Sequence, residues 1–541
     1  MTRFTTGGDA LAESLIAQGV TTMFGIPGIQ LDAACDGLYY RRDRIKFICA
    51  RNEQAVTYMA DGYARSTGRE GVGMVVPGPG LLNALAGLAT AYATNSRVLL
   101  IAGQIATDKI GKGEGVLHEI PDQSGIVARL SKWTACATSA EQIPSLVEEA
   151  FRQLRSGRPR PVVLEVPPDV LAAPIPANLE IPPYVEGEPV RASQSTLKAA
   201  AAMIANSKRP LLYAGSGVRG AHASEELTVF AHLINAPVVV TEDARGVIDA
   251  RDSLAFDPLA FRKLRESSDL IISVGSRCLG SIGGPLNTAG TPYICINVDE
   301  ADLGAPRTPA LTVHSDAKVA LASLTELLAD YQPSVNRTDE FAAVRAFVTD
   351  SLEAVAPQRA YMDAIRSNIP DNAVYVTELT QVGYVSGICY PAYAPETYIN
   401  PGYEGTLGYG FSTALGAQAA DLERTVVSIS GDGGFAWTMQ ELSTMAKYEL
   451  PLIAIVFNDG YYGNVRRIQK NEYGGRFFAT DLKDPDYMKL ADAYGIKGRR
   501  VTSAEELNAV MAEEVAAHEP VLIEARVGEF PSPWKLIHEG I

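Results

Sequence analysis

The chain has 541 residues, 47% hydrophobic and 20% charged, enough for about three globular domains with ample cores. A formal net charge of −16 argues against nucleic acid or an anionic membrane as partner, since both recruit basic patches. Six cysteines (Cys35, Cys49, Cys136, Cys278, Cys295, Cys389) show no C-x-x-C spacing, and neither an apolar leader over 1–15 nor a run of 18 apolar residues occurs, so the expectation is a reduced, cytoplasmic protein without disulfide framework, zinc site or membrane span.

In chain order, residues 24–28 (FGIPG) read as a strand-to-helix turn. The apolar run 47–49 leads through Arg51-Asn52-Glu53-Gln54-Ala55 into a helical stretch over 58–65 with small residues on one side. Glu53 sits at that junction, either as a carboxylate complementing a helix dipole or as a working acid. Residues 75–80 (VVPGPG) with Asn83, then the strand run 98–102, complete this region. The loop Leu117-His118-Glu119-Ile120-Pro121-Asp122-Gln123 precedes Ser131-Lys132-Trp133 and offers a histidine able to shuttle protons near neutrality, or a plain polar loop residue.

Pro174, Pro176, Pro182, Pro183 and Pro189 then crowd a stretch that suits an extended linker. Beyond it, strand runs at 211–214, 238–241 and 270–274 surround a literal GxGxxG, Gly215-Ser216-Gly217-Val218-Arg219-Gly220, before a helix over 223–233. Taken alone, this proposes a nicotinamide dinucleotide site and a dehydrogenase, with Glu242 and Asp243 as the acidic candidates. Tight strand–helix packing explains the glycines equally well. A polar break over 332–339 ends this piece.

The last piece carries strand runs at 374–377, 425–430 (TVVSIS) and 450–457 (LPLIAIVF). The second closes on Gly431-Asp432-Gly433-Gly434, the third on Asn458-Asp459-Gly460. Carboxyl ends of parallel strands are where α/β sheets bind ligands. Glycines let backbone N–H groups approach phosphate oxygens, and carboxylates offer hard oxygens to Mg²⁺. The spacing between Asp432 and Asp459 is about one βαβ crossover, which points to a metal-bridged diphosphate site. A tight turn is the plainer reading of GDG alone.

This pair resembles the signature of the thiamine-diphosphate enzymes, and FGIPG, the glutamate before a MADGYAR helix, VVPGPG with Asn83, and GTLGYG at 405–410 resemble the acetolactate synthase-like branch. The likeness spans the chain. It implies an α/β fold of three doubly wound parallel-sheet domains: 1–175 pyrimidine-binding, 190–332 central and Rossmann-like, 355–541 diphosphate-binding. It implies Mg²⁺ held by Asp432, Asp459 and the carbonyl of Tyr461, with Pro27, Gly28, Gly431, Gly433, Gly434 and Leu407 shaping the cofactor site. Asp459 stands where the family usually has Asn, so Asp459→Asn is expected to be tolerated. Glu53 holds the position of the buried carboxyl that shares a proton with the cofactor's pyrimidine.

The resemblance further implies a small 2-keto acid substrate, decarboxylated and then ligated to a second carbonyl. Simple decarboxylation or 2-hydroxyacyl lyase chemistry is the alternative. Candidate substrate residues are Ile29, His118, Glu119, Asn464 and Ile468, with Ile29 reading as a crowding apolar group. Synthases of this branch carry a glycine-rich FAD-contacting segment, whereas 247–268 here has no glycine, so no FAD is expected. The family's cofactor lies between subunits, which implies a homodimer or homotetramer.

Overall fold

The computed structural model describes residues 4–280 and 284–540. Each of the three alternating regions forms a six-stranded sheet with parallel pairing throughout. The first contains β1 (Thr22–Gly25), β2 (Lys46–Cys49), β3 (Gly71–Val75), β4 (Val98–Gly103), β5 (Trp133–Cys136) and β6 (Val162–Val166), in the order β2-β1-β3-β4-β6-β5.

The central sheet contains β7 (Pro210–Ala214), β8 (Val238–Val240), β9 (Ala255–Phe256), β10 (Leu270–Val274), β11 (Tyr293–Asn297) and β12 (Leu311–His314), ordered β12-β11-β10-β7-β8-β9. The third contains β13 (Val374–Val376), β14 (Tyr398–Ile399), β15 (Val426–Gly431), β16 (Ile453–Asn458), β17 (Lys497–Val501) and β18 (Val521–Arg526), ordered β14-β13-β15-β16-β18-β17. Position for position, the first and third sheets have one topology. Helices cover both faces, so the strands are buried and read as continuous apolar runs rather than alternating ones.

Element bounds depart from the sequence reading where local chemistry decides. β16 begins at Ile453 rather than at 450, because Pro451 has no N–H to give a ladder. The helix read over 58–65 spans Glu53–Thr67. Asn52 caps it by accepting from the Gln54 N–H at 2.8 Å, and Gly68 closes it at φ +70°. Its small face meets the helix Tyr409–Ala420 of the third domain at contact distance. A Cβ on Gly62 would lie 1.9 Å from the Thr413 carbonyl oxygen, and one on Gly416 would lie 1.9 Å from that of Met59. The first and third domains thereby share one core, with Phe24, Tyr58 and Met59 packed in the same cluster as Tyr409, Phe411 and Phe435. Among the described residues no helix is long and apolar enough to cross a membrane.

Candidate functional site

The register of the third sheet sets Gly431 opposite Phe457, so Asp432 and Asp459 leave neighbouring strand ends on the same edge. Asp432 is 3% exposed. It accepts from its own turn, Gly433 N at 2.8 Å, and from Gly460 N at 2.7 Å. Those two bonds fix both carboxylate oxygens between the two loops. Burial, and then the charge of Asp459, push its carboxyl up to about 7. Asp459 is raised as well, mainly by burial, and Asp484 adds to both.

With Asp459 raising Asp432 and Asp484 raising both, the site is short of positive charge. Asp432 and Asp459 are in no ion pair among the described residues, so the donor set fits a divalent cation. Among those residues no group of three or more His, Cys, Asp or Glu side chains could hold one ion, so carbonyl, phosphate and water oxygens must complete the shell. Tyr461 lies two residues beyond Asp459, its N–H bonded to Asp459 Oδ1 at 3.1 Å.

Beside this pair lies a carboxylate that the sequence reading missed. Glu378, just beyond β13, is buried and accepts from Gly408 N at 2.9 Å and Gly410 N at 3.1 Å. Burial drives its carboxyl up to about 7. A Cβ on Gly434 would sit 2.0 Å from its Oε1, so glycine there is a packing requirement. Glu378 ties the Leu407 turn to the GDGG turn, both expected to meet the cofactor. Gln381, also missed, donates from Nε2 to Asp459 Oδ2 at 2.6 Å. Isolated acids and amides at strand ends carry no spacing pattern, and no sequence signal marks Glu378, Gln381 or Asp484.

The first domain assembles the second group of candidates at the matching edge. The FGIPG turn ends in the short helix Ile29–Leu31, with Gly28 pressed against Val76 and Pro27 exposed. Glu53, expected to be a buried carboxyl, is half-buried in this chain. It opens the helix Glu53–Thr67, and its described partner is Asn83, whose Nδ2 donates at 3.1 Å. Ile29, expected to crowd the site, is 66% exposed in this chain.

His118, at φ +71°, packs its backbone on Gly78, where a Cβ would meet its carbonyl oxygen at 2.4 Å. Gln30 Nε2 donates to the Leu117 carbonyl at 3.2 Å, so its Oε1 faces His118 Nδ1 at 3.1 Å. That polarity places the proton on Nδ1 and leaves Nε2 as the free acceptor of the neutral ring. Glu119, by contrast, accepts from the N–H groups of Gly113, Gly115 and Val116, which makes it a staple of its own loop.

The structure brings Ile29, Glu53 and His118 to one edge and Asp432, Asp459 and Leu407 to another. Leu407 approaches the first group through its carbonyl, which accepts from Gln54 Nε2 at 3.3 Å. No described hydrogen bond joins Glu53 to Asp432 or Asp459. Asn464 and Ile468 lie on the helix Gly463–Glu472, where Asn464 Oδ1 accepts from Arg467 at 3.1 and 3.2 Å.

Where the three domains meet, a cavity of about 1150 Å³ is lined by Arg65, Gly215, Arg219, Glu242, Asn464 and Trp534. It includes none of Glu53, Asp432 and Asp459. A Cβ on Gly215 or Gly217 would come within 2.4 or 2.6 Å of the Gly275 backbone, so close packing accounts for two glycines of the GxGxxG. Asp243 is taken up by Arg65 and Asn400, and Glu242 by Tyr398.

Comparison with known proteins matches residues 5–126, 197–324 and 380–525 to the N-terminal, central and C-terminal domains of the thiamine pyrophosphate enzyme family. The chain is 31% identical to a probable acetolactate synthase large subunit of Methanococcus aeolicus, over 96% of this chain and 91% of that one. It is 30% identical to the acetolactate synthase isozyme 2 large subunit of Escherichia coli, over 99% and 98%. It is also 30% identical to a probable 2-ketoarginine decarboxylase of Pseudomonas aeruginosa, over 96% and 94%.

Proposed function

This chain belongs to the thiamine pyrophosphate enzymes, and from that premise we propose that it decarboxylates a 2-keto acid and ligates the remaining carbon unit to a second carbonyl. It is a thiamine-diphosphate-dependent enzyme, with Mg²⁺ typical of the family. When bound, the cofactor supplies the nucleophile and the electron sink. The observation that carries the reading is the buried Asp432, held by the amides of both its own turn and the Asp459 turn, at the edge of a parallel sheet.

Asp432, Asp459 and the Tyr461 carbonyl would hold the metal, and Gly433 and Gly434 would admit the diphosphate. Glu53 would hold and share a proton at the pyrimidine ring, and the free Nε2 of His118 would exchange protons with substrate. Ile29, with Leu117 on the His118 loop, keeps water from the reacting carbon once a second subunit covers them. A homodimer or homotetramer with shared sites is supported by the openness of this edge, where Ile29 and Leu117 are 66% and 62% exposed. The protein is proposed to need no flavin.

The test is to incubate the loaded enzyme with a panel of 2-keto acids, singly and in pairs, and identify products by mass. Ligated products support the proposal. Aldehydes alone, across the panel, would move the reading to simple decarboxylation, which the likeness to the 2-ketoarginine decarboxylase also favours.

A further inference from the structure

Asp459 is the chain's departure from the family pattern, and its surroundings account for it. Its two oxygens face two fixed donors. Oδ1 accepts from the Tyr461 backbone N–H at 3.1 Å, and Oδ2 accepts from Gln381 Nε2 at 2.6 Å. Gln381 is not free to turn over, because its Oε1 accepts from the Phe530 backbone N–H at 2.9 Å. Its Nε2 also reaches the Gly528 carbonyl at 3.3 Å. The chain of bonds therefore begins and ends on backbone N–H groups, which can only donate.

Between two such ends, and with Gln381 in the middle, only an acceptor on both sides satisfies position 459. An asparagine there fails in every orientation. With its oxygen toward Tyr461, its amide faces Gln381 Nε2. With its oxygen toward Gln381, its amide faces the Tyr461 N–H. Turning Gln381 over instead brings Nε2 against the Phe530 N–H. Each choice sets donor against donor, and a donor left without an acceptor costs a desolvation penalty.

We propose that Gln381 is a positioning residue that fixes the Asp459 carboxylate and latches residues 528–530 to the metal loop, and that the polarity of this latch is what requires aspartate at 459. The segment so held continues into the helix Trp534–Gly540. Trp534 lies against Tyr384 with ring centroids 5.0 Å apart, and Arg467 stands 5.3 Å over its ring. Lys470 pairs with Glu529 at 2.8 Å. The latch thus joins the metal loop, the helix carrying Asn464 and the C-terminal segment. The latch predicts the opposite of the expectation that Asp459→Asn is tolerated. Only the metal at this loop rests on the cofactor reading; the latch itself does not.

The experiment is a polarity reversal. Asp459→Asn, Gln381→Glu and the double variant are compared as full-length apo proteins, by the rate at which trypsin releases the peptide beyond Arg526. Mg²⁺–thiamine diphosphate affinity is then measured by calorimetry. Each single variant breaks the chain of bonds and should raise the release rate roughly tenfold, the scale of one lost hydrogen bond with its partner stranded. In the double variant, the amide introduced at 459 donates to the carboxylate introduced at 381. That carboxylate still accepts from the Phe530 N–H, and the formal charge is unchanged. Release should fall clearly below that of either single variant, short of full recovery because the carboxylate at 381 then faces the Gly528 carbonyl that Nε2 had reached.

Wild-type release in Asp459→Asn, or a double variant no better than the singles, overturns the latch. A restored latch with cofactor affinity unmoved in all three would uphold the positioning role and remove Asp459 from the metal shell instead.

Discussion

The first and third domains repeat one strand order, yet their corresponding edges are finished in opposite ways. After the third strand of each comes a glycine turn: Val76-Pro77-Gly78-Pro79-Gly80 in one, Gly431-Asp432-Gly433-Gly434 in the other. After the fourth comes Gln104 in one and Asp459 in the other. The third-domain edge is built within the chain. Asp432 and Glu378 are buried and Asp459 half-buried, and these three are met by backbone or amide donors. The first-domain edge is open, with apolar side chains toward solvent and Glu53 half-buried. One strand order thus carries two edges, one closed by the chain's own donors and one left open to solvent.

The sharpest break of this comparison is Glu53→Gln. It changes one proton and little shape, so a group that acts only in the reaction should lose turnover without losing cofactor. Turnover should fall by about 10²–10⁴, the range for general acid–base assistance, with affinity for thiamine diphosphate nearly unchanged. Wild-type turnover would end the assignment.

Asp432→Ala attacks the built half. The metal loses a buried ligand, and the Gly433 and Gly460 N–H groups lose their acceptor. Affinity for Mg²⁺–thiamine diphosphate should drop by roughly 10²–10³, from the several kcal/mol that a broken buried charge contact costs. Calorimetry showing unchanged affinity would remove the metal reading.

The two halves meet through Glu441, which accepts from the Arg51 backbone N–H at 2.9 Å, two residues before Glu53. Burial pushes its carboxyl up to about 7. An acid whose folded value exceeds its unfolded one binds more protons in the folded state, so its contribution falls as pH rises from about 4.5 to about 7 and is flat above. Glu378 acts in the same sense. Glu441→Gln should remove the Glu441 share, on the order of 3 kcal/mol, and flatten the loss of apo stability between about pH 4.5 and 7. An unflattened curve would mean that Glu441 is ionised and satisfied throughout.

What could be read in advance follows the same division. The three sheets were legible because buried parallel strands are apolar runs bounded by glycine and proline. Asp432 and Asp459 were legible because glycines mark their turns. Glu378 and Gln381 act through partners 30 and 78 residues away, at Gly408 and Asp459, and nothing in their neighbourhood announces that. Ile29 and Glu53 lie on the turns read for them, but exposure depends on everything packed around a residue, and in this chain Ile29 is exposed and Glu53 half-buried.

The smallest expected effect tests which reaction the open half performs. His118 sits at φ +71°, a backbone that alanine adopts only with strain, so His118→Asn is the cleaner variant because asparagine tolerates that region. It removes the ring nitrogen that the Gln30 contact leaves unbonded. Product formation should slow about 10–100-fold, the low end for a proton-transfer group, with cofactor binding unmoved. Ligation requires that the reacting carbon stay unprotonated until a second carbonyl arrives. Here one histidine stands beside Gln30, and the neighbouring position is the apolar Ile29, so a full set of proton donors is missing from this edge. With pyruvate, the main product should therefore be a ligated one, in wild type and His118→Asn alike. Free acetaldehyde as the dominant wild-type product, with His118→Asn fully active, would show that protons reach that carbon by another route and that the open half is built for decarboxylation.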